Sequence, residues 1–172
     1  MSDEQTVYIG IDPGLSGALA AIYPGGAVEV HDVPTLDVGR NGKVRREYNT
    51  WAMGGLLMGV ESPPGGRRRL AIIEAVHAMP GQGVRSMFTL GYGLGVWEGL
   101  LAGHGIRYER VTPQRWKRAL MDGMGKDKDA ARLVAMRLFP ELADQLKRKK
   151  DDGRAEALLL AEFGRRVARA GE

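Results

Sequence analysis

Two apolar runs in this chain each close on a carboxylate, and that placement constrains the fold more than any other feature. Val7-Tyr8-Ile9-Gly10-Ile11 ends at Asp12, and Leu70-Ala71-Ile72-Ile73 ends at Glu74. Short apolar runs of this kind read as buried strands. A carboxylate at the end of such a strand is costly to bury unless something pairs with it. Glu is also disfavoured in strands, which makes Glu74 a candidate for function rather than for folding. Two further acids, Asp152 and Glu156, lie four residues apart in a stretch that reads as helix, and so share one helix face. Gathered together, such acids repel one another and raise each other's pKa. A hard divalent cation such as Mg²⁺ removes that conflict, because it takes oxygen ligands. Paired cations of this type are a standard device for cutting phosphodiesters.

The remaining pattern surrounds these acids with a mixed α/β layout. Residues 7–11, 17–22 and 27–33 read as three short strands in an antiparallel meander, with Pro24-Gly25-Gly26 as a turn. Residues 34–46 are polar and read as a mobile loop. Residues 48–60 read as a helix, 61–69 as a Pro/Gly/Arg loop, and 70–74 as the fourth strand. A loop over 77–83 leads to a long helix over 84–102, and 106–111 is the fifth strand. Thr112-Pro113 is a strong helix start, a capping residue followed by Pro at the first helical position. That helix runs over 113–121 and is followed by helices over 127–139 and 151–168, with one further turn over 140–146. Strands first, then alternating helix and strand, imply a mixed sheet covered by helices, with a right-handed parallel crossover late in the chain. The expected unit is one domain over residues 1–172.

Composition narrows the class. Hydrophobic residues make up 44% of the 172, enough for a core, and no apolar run approaches the roughly 20 residues of a membrane span. Residues 1–5 lack the basic start and apolar centre of a signal peptide, so a cytoplasmic protein is expected. With no cysteine, disulfides and thiolate metal sites are excluded. The net charge is +4, a modest basic bias whose clustering says more. Arg67-Arg68-Arg69 precedes the fourth strand, and Lys147-Arg148-Lys149-Lys150 leads straight into Asp151 and Asp152. A solvated face is the commoner meaning of a charge run. Cations placed beside candidate metal ligands also suit a protein that binds a polyanion and cuts it.

Each motif has an ordinary structural alternative. Asp12-Pro13-Gly14-Leu15-Ser16-Gly17 is a hairpin turn on one reading and a cleft-facing carboxylate with two glycines for a sharp turn on the other. It would also suit a phosphate loop of the actin-like kinases, but that fold needs two lobes and this chain has no internal repeat. Asp151, Asp152 and Glu156 all favour the positive end of a helix, which explains Asp151 and Asp152 better than Glu156. Asp151 serves either as the helix cap or as the ligand in place of Asp152. Gly91, Gly95 and Gly99 recur every four residues in the long helix, at about 1 kcal/mol each against Ala. Something packs closely on that stripe, either the sheet or a partner helix. Gly91-Tyr92-Gly93 is not a dinucleotide loop, because no strand precedes it. Trp116 is core or part of a phosphate-contacting helix with Lys117 and Arg118, and Lys126 and Lys128 flank the next helix start.

The ordered set resembles the RuvC-type Holliday-junction resolvases, and looks most like their phage-encoded branch. The resemblance spans nearly the whole chain, from Ile9-Gly10-Ile11-Asp12-Pro13-Gly14 through Ile72-Ile73-Glu74 to Ala155-Glu156-Ala157-Leu158-Leu159-Leu160-Ala161. Ser86-Met87-Phe88-Thr89-Leu90-Gly91 and Thr112-Pro113-Gln114-Arg115-Trp116-Lys117 are similar to the family's dimer-helix entry and basic helix. The resemblance implies a ribonuclease-H-like fold, with a five-stranded mixed sheet flanked by helices. It implies a homodimer and Mg²⁺-dependent paired nicking of four-way DNA junctions, with two cations per site and Mn²⁺ as a substitute. The implied ligands are Asp12, Glu74, Asp152 and Glu156, with Lys117 and Lys128 near the scissile phosphate. Arg85, Arg115, Lys126, Lys147, Lys149 and Lys150 are implied DNA contacts, and Gly91, Gly95 and Gly99 an implied dimer interface. This chain departs from the family in having Glu156 as last ligand, where Asp is usual, and Gly153 where the preceding ligand usually sits. His77 stands where the family wedges an aromatic ring into the junction, and Met79 and Pro80 offer apolar wedges beside it. The alternatives are a non-cleaving branched-DNA module of the same fold, and a broader nuclease acting on forks and flaps.

Overall fold

A computed structural model describes residues 6–40, 42–60, 68–78, 80–123 and 129–170. Its centre is a five-stranded sheet of β1 (Thr6–Ile11), β2 (Ala18–Ile22), β3 (Val28–Asp32), β6 (Arg68–Glu74) and β7 (Arg107–Val111), in the order β3-β2-β1-β6-β7. β1, β2 and β3 pair antiparallel, whereas β6 joins β1 and β7 joins β6 in parallel. The meander and the late parallel crossover both stand as expected from the sequence.

Alternation along β1 supplies both faces of the sheet. Val7, Ile9 and Ile11 pack on one side with Met53 and Leu57 of α1 (Thr50–Gly59) and Leu94, Trp97 and Leu101 of α2 (Val84–Gly103). Tyr8 faces the other side with Ala157, Leu158 and Ala161 of α5 (Asp152–Ala170), and with Trp116 of α3 (Pro113–Leu120) and Val134 of α4 (Ala130–Leu138). This is the period-2 division of a strand buried on both faces. Two short 3₁₀ helices, Pro140–Leu146 and Lys149–Asp151, bridge α4 to α5. Among the described residues, no helix is long and apolar enough to cross a membrane.

One expectation fails. Residues 34–46 are not a mobile loop but most of a β-hairpin, β4 (Thr35–Arg40) with β5 (Lys43–Tyr48), whose closing pair is Arg40 with Lys43. Asn41-Gly42 is a strong hairpin signal in the sequence, and Gly42 takes a positive φ of 70°. The signal is obscured because β5 is exposed at every residue except Tyr48 and lacks an apolar face. Tyr48 therefore closes a strand, and α1 begins after Asn49, whose side chain accepts a hydrogen bond from the Ala52 N–H at 3.1 Å. Residues 61–67, including Arg67, lie outside the described residues, as do Met79, Lys126 and Lys128.

Candidate active site

Parallel pairing of β1 with β6 sets Ile11 level with Ile73, so Asp12 and Glu74 leave neighbouring strands side by side. The Asp12 loop is short and tightly held. Its first backbone N–H donates to the Ala18 carbonyl at 3.0 Å, and Gly14 N–H donates to Asp12 Oδ1 at 3.1 Å. The Tyr48 hydroxyl donates to the Pro13 carbonyl at 3.0 Å, and Arg46 donates to Leu15 O at 3.0 Å and Ser16 Oγ at 2.6 Å. The hairpin thus braces the loop from outside. Gly14 and Gly17 do not take positive φ angles. The need at Gly17 is space, since a Cβ there would overlap the carbonyl oxygen of Asp12.

α5 crosses the other end of the same patch and brings Glu156 to it. Asp12 is pushed up from 3.8 to about 7, first by burial and then by the charge of Glu156, with Glu74 adding to the effect. The Gly14 N–H and Lys117 oppose the shift without cancelling it. Glu74 is also raised, by burial and then by Glu156, against a hydrogen bond from Trp116 and the charge of Lys117. Trp116 is fully buried, and its indole Nε1 donates to Glu74 Oε1 at 3.0 Å. Lys117 on the same helix reaches Glu156 Oε1 at 3.2 Å. Tyr48 is pushed up to about 12 by burial and then by Asp12. Asp12, Glu74, Glu156 and Lys117 therefore form one electrostatic unit, with three acids and one cation.

The other two acids behave differently. Asp151 is buried and accepts from the Arg148 backbone N–H at 2.9 Å and from its guanidinium at 2.9 Å, which holds its carboxyl below the usual range. It is a structural cap. Asp152 Oδ1 lies 2.7 Å from Nε of Arg132, a buried arginine on α4. Gly153, the position at which this chain departs from the family pattern and Asp152 is expected to ligate instead, packs so closely on the Asp12 loop that a Cβ would overlap the Ser16 carbonyl oxygen. No acid can occupy that position without moving the loop.

The donor set suits a hard divalent cation: three carboxylates, partly desolvated, repelling one another with, among the described residues, Lys117 to offset them. Among the described residues, no three His, Asp or Glu side chains are already arranged to hold a metal ion. Glu156 and Asp152 are each engaged by a side-chain cation, Lys117 and Arg132.

The expected DNA-contacting residues are dispersed around this patch. His77, Arg85, Arg115, Lys147, Lys149 and Lys150 are exposed. Arg115 pairs with Glu109 and lies 5.5 Å over the Phe163 ring. The glycine stripe differs from one of its two readings. Gly91, Gly95 and Gly99 are exposed, with nothing near a Cβ built on them, so the sheet does not pack there. The close approach belongs to Gly93, where a Cβ would overlap the Tyr48 hydroxyl. Sequence reasoning missed Arg132, Arg46 and Tyr48, whose partners lie far away in the chain. It also missed an open cleft of about 800 Å³ beside the Asp12 loop, lined by Leu15, Arg45, Arg46, Arg85, Phe88 and Tyr92 among others.

These elements define a ribonuclease-H-like α/β fold with an acidic centre at the carboxyl ends of its first and central parallel strands. The fold is that of RuvC from Thermus thermophilus. It matches RuvC in complex with a Holliday junction substrate at a TM-score of 0.62, with 16% identity and 96% of both chains covered. A second Thermus thermophilus RuvC structure matches at a TM-score of 0.55, with 17% identity and the same coverage. In sequence, the chain is similar to the chloroplastic Holliday junction resolvase MOC1 of Chlamydomonas reinhardtii, 38% identical over 104 residues. That stretch is 59% of this chain and only 12% of the relative. No family model matches.

Proposed function

We propose that this chain is a structure-selective DNA endonuclease that resolves four-way junctions by paired nicks. The observation that carries the reading is the coupled trio of Asp12, Glu74 and Glu156, too poor in counter-charge to be structural, on a RuvC fold. The junction resolvase named as a sequence relative and the junction-bound RuvC structure support the choice of substrate.

Asp12, Glu74 and Glu156, joined by Asp152, would hold Mg²⁺, two ions per site, with Mn²⁺ as a substitute. Bound cations of this kind activate water and stabilise the leaving oxygen of a phosphodiester. The protein's own part is positioning. Trp116 fixes the Glu74 carboxylate through its N–H, and the Arg46 and Tyr48 contacts hold the Asp12 loop. Lys117, with its side chain 44% exposed, offers positive charge to the phosphate being cut. Lys128 is assigned the same role on the resemblance alone. Exposed Arg85, Lys147, Lys149 and Lys150 contribute phosphate contacts that position the DNA without reading its sequence.

Two such sites on a two-fold dimer would match a two-fold junction and supply paired cuts. The outward face of α2 suits that role, with bare Gly91, Gly95 and Gly99 beside exposed Val84 and Phe88. The compartment proposed with this reading is the cytoplasm of a bacterial cell or of a phage-infected host. The test is cleavage of a labelled four-way junction with Mg²⁺ or with EDTA, beside forks, flaps and linear duplex. Metal-dependent symmetric nicks on the junction, with the duplex intact, are expected. Tight junction binding without cutting would replace the nuclease with a binding module, and equal cutting of forks and flaps would replace it with a broader nuclease.

A further inference from the structure

Asp152 sits at the first residue of α5, and the helix alone does little to direct it. Side chains on a helix lean toward its N-terminus, so a carboxylate at the first position leans beyond the helix end. Gly153 cannot take over as ligand, because its Cβ would overlap the Ser16 carbonyl oxygen. An acid at 152 instead lies on the other flank of Glu156, the side from which α4 approaches. On that side α4 supplies one buried guanidinium, Arg132, whose side chain is 10% exposed.

Arg132 is itself anchored. It pairs with Asp129 and donates from Nη1 to the Lys147 carbonyl at 3.1 Å. Its Nε lies 2.7 Å from Asp152 Oδ1, and both atoms are buried. Charge and hydrogen bonding both act across this contact. The side chain of Asp152 is nevertheless 46% exposed. The contact therefore engages one carboxylate oxygen and leaves part of the group open.

We propose that Arg132 is a positioning residue of the candidate metal site, tethering one oxygen of Asp152 so that the other can ligate the cation. The inference rests on the nuclease reading above and adds a residue to it. Groups that hold a ligating carboxylate usually change metal affinity by about 10–100-fold when removed.

The experiment is calorimetric titration of the full chain with Mn²⁺ in the absence of DNA, in wild type, Arg132→Met, Arg132→Lys, Asp152→Asn and the Arg132→Met/Asp152→Asn pair. Thermal melts report folding. Expected are a roughly 10–100-fold loss of Mn²⁺ affinity in Arg132→Met and a smaller loss in Arg132→Lys. Asp152→Asn should match Arg132→Met, and the pair should lose no more than either alone. Should Arg132→Met fail to fold, Arg132→Lys and Asp152→Asn carry the test, and wild-type Mn²⁺ affinity in either overturns the proposal. Additive losses in the pair also overturn it, since the two residues would then act separately. Failure of the underlying reading looks different, because wild type itself would then neither bind Mn²⁺ nor cut a junction.

Discussion

Two kinds of carboxylate are found on α5 and the elements packed against it, and their counter-charges separate them. Asp151 has Arg148, Asp32 has Arg154 at 2.6 Å, and buried Glu162 has both Arg165 and Arg166. The first two are held below the usual carboxylate range by those arginines. At the strand ends the direction reverses. Asp12 and Glu74 are raised, and among the described residues Lys117 is the side-chain cation that opposes the shift at both groups. A folded protein balances the acids it keeps for structure. Acids left unbalanced at one point imply that the balancing charge arrives from outside.

The sharpest way to break this contrast is to neutralise one acid of each kind. Asp12→Asn should lower junction cleavage by roughly 10³-fold or more, since several kcal/mol of transition-state stabilisation would go with the cation it is proposed to hold. Junction binding should survive. Equal cleavage by the purified variant would remove Asp12 from the site.

Acidification sharpens the same point. Asp12 must be ionised to ligate a cation, and it stands at about 7. That value is for the metal-free site, so it is the apparent Mg²⁺ affinity that should fall by about tenfold for each pH unit below it, with saturating metal moving the loss to lower pH. An Mg²⁺ affinity flat between pH 5 and 8 would contradict the shift.

Stability should respond with opposite signs in the two regions. Asp12 binds its proton more tightly when folded, so its contribution is fully present below 3.8 and is lost as pH rises through about 7. Without metal at pH 8, Asp12→Asn should therefore raise Tm, by roughly 5 °C for a domain of this size. Asp151 is the reverse case. Its lowered pKa gives stability present above the ordinary carboxylate value and lost as pH falls through the folded one. Asp151→Asn should lower Tm by about 3 °C at pH 8, and the deficit should close in acid.

The smallest expected effect on cleavage lies at Trp116. Trp116→Phe removes the N–H on Glu74 and leaves a gap where the fully buried indole was, and should cost about 2 kcal/mol of stability. A denaturant melt measures it, and cleavage should fall by a modest factor because Glu74 is then less well held.

Much of this was legible in the residues. Asp12 and Glu74 could be found because each ends an apolar run, and parallel pairing then brings them level. The order of strands and helices followed from period and turn signals. What stayed hidden depends on partners distant in sequence. Nothing local says that Lys117 meets Glu156, that Arg132 meets Asp152, or that Tyr48 seats on Pro13. The hairpin of β4 and β5 was obscured by an almost wholly exposed strand, for which burial leaves no trace in composition. The glycine stripe showed that close packing was needed without showing where, and within the chain that need falls on Gly93 instead.

The most direct measurement is the thermal melt of the purified chain at pH 8 as Mg²⁺ is added, in wild type and in Asp12→Asn. A cation that binds the folded state should raise the wild-type Tm progressively with concentration, and the variant, already relieved of one charge, should move far less. No shift in wild type, or an equal shift in both, would mean that the acids at the strand ends are not there to hold a metal.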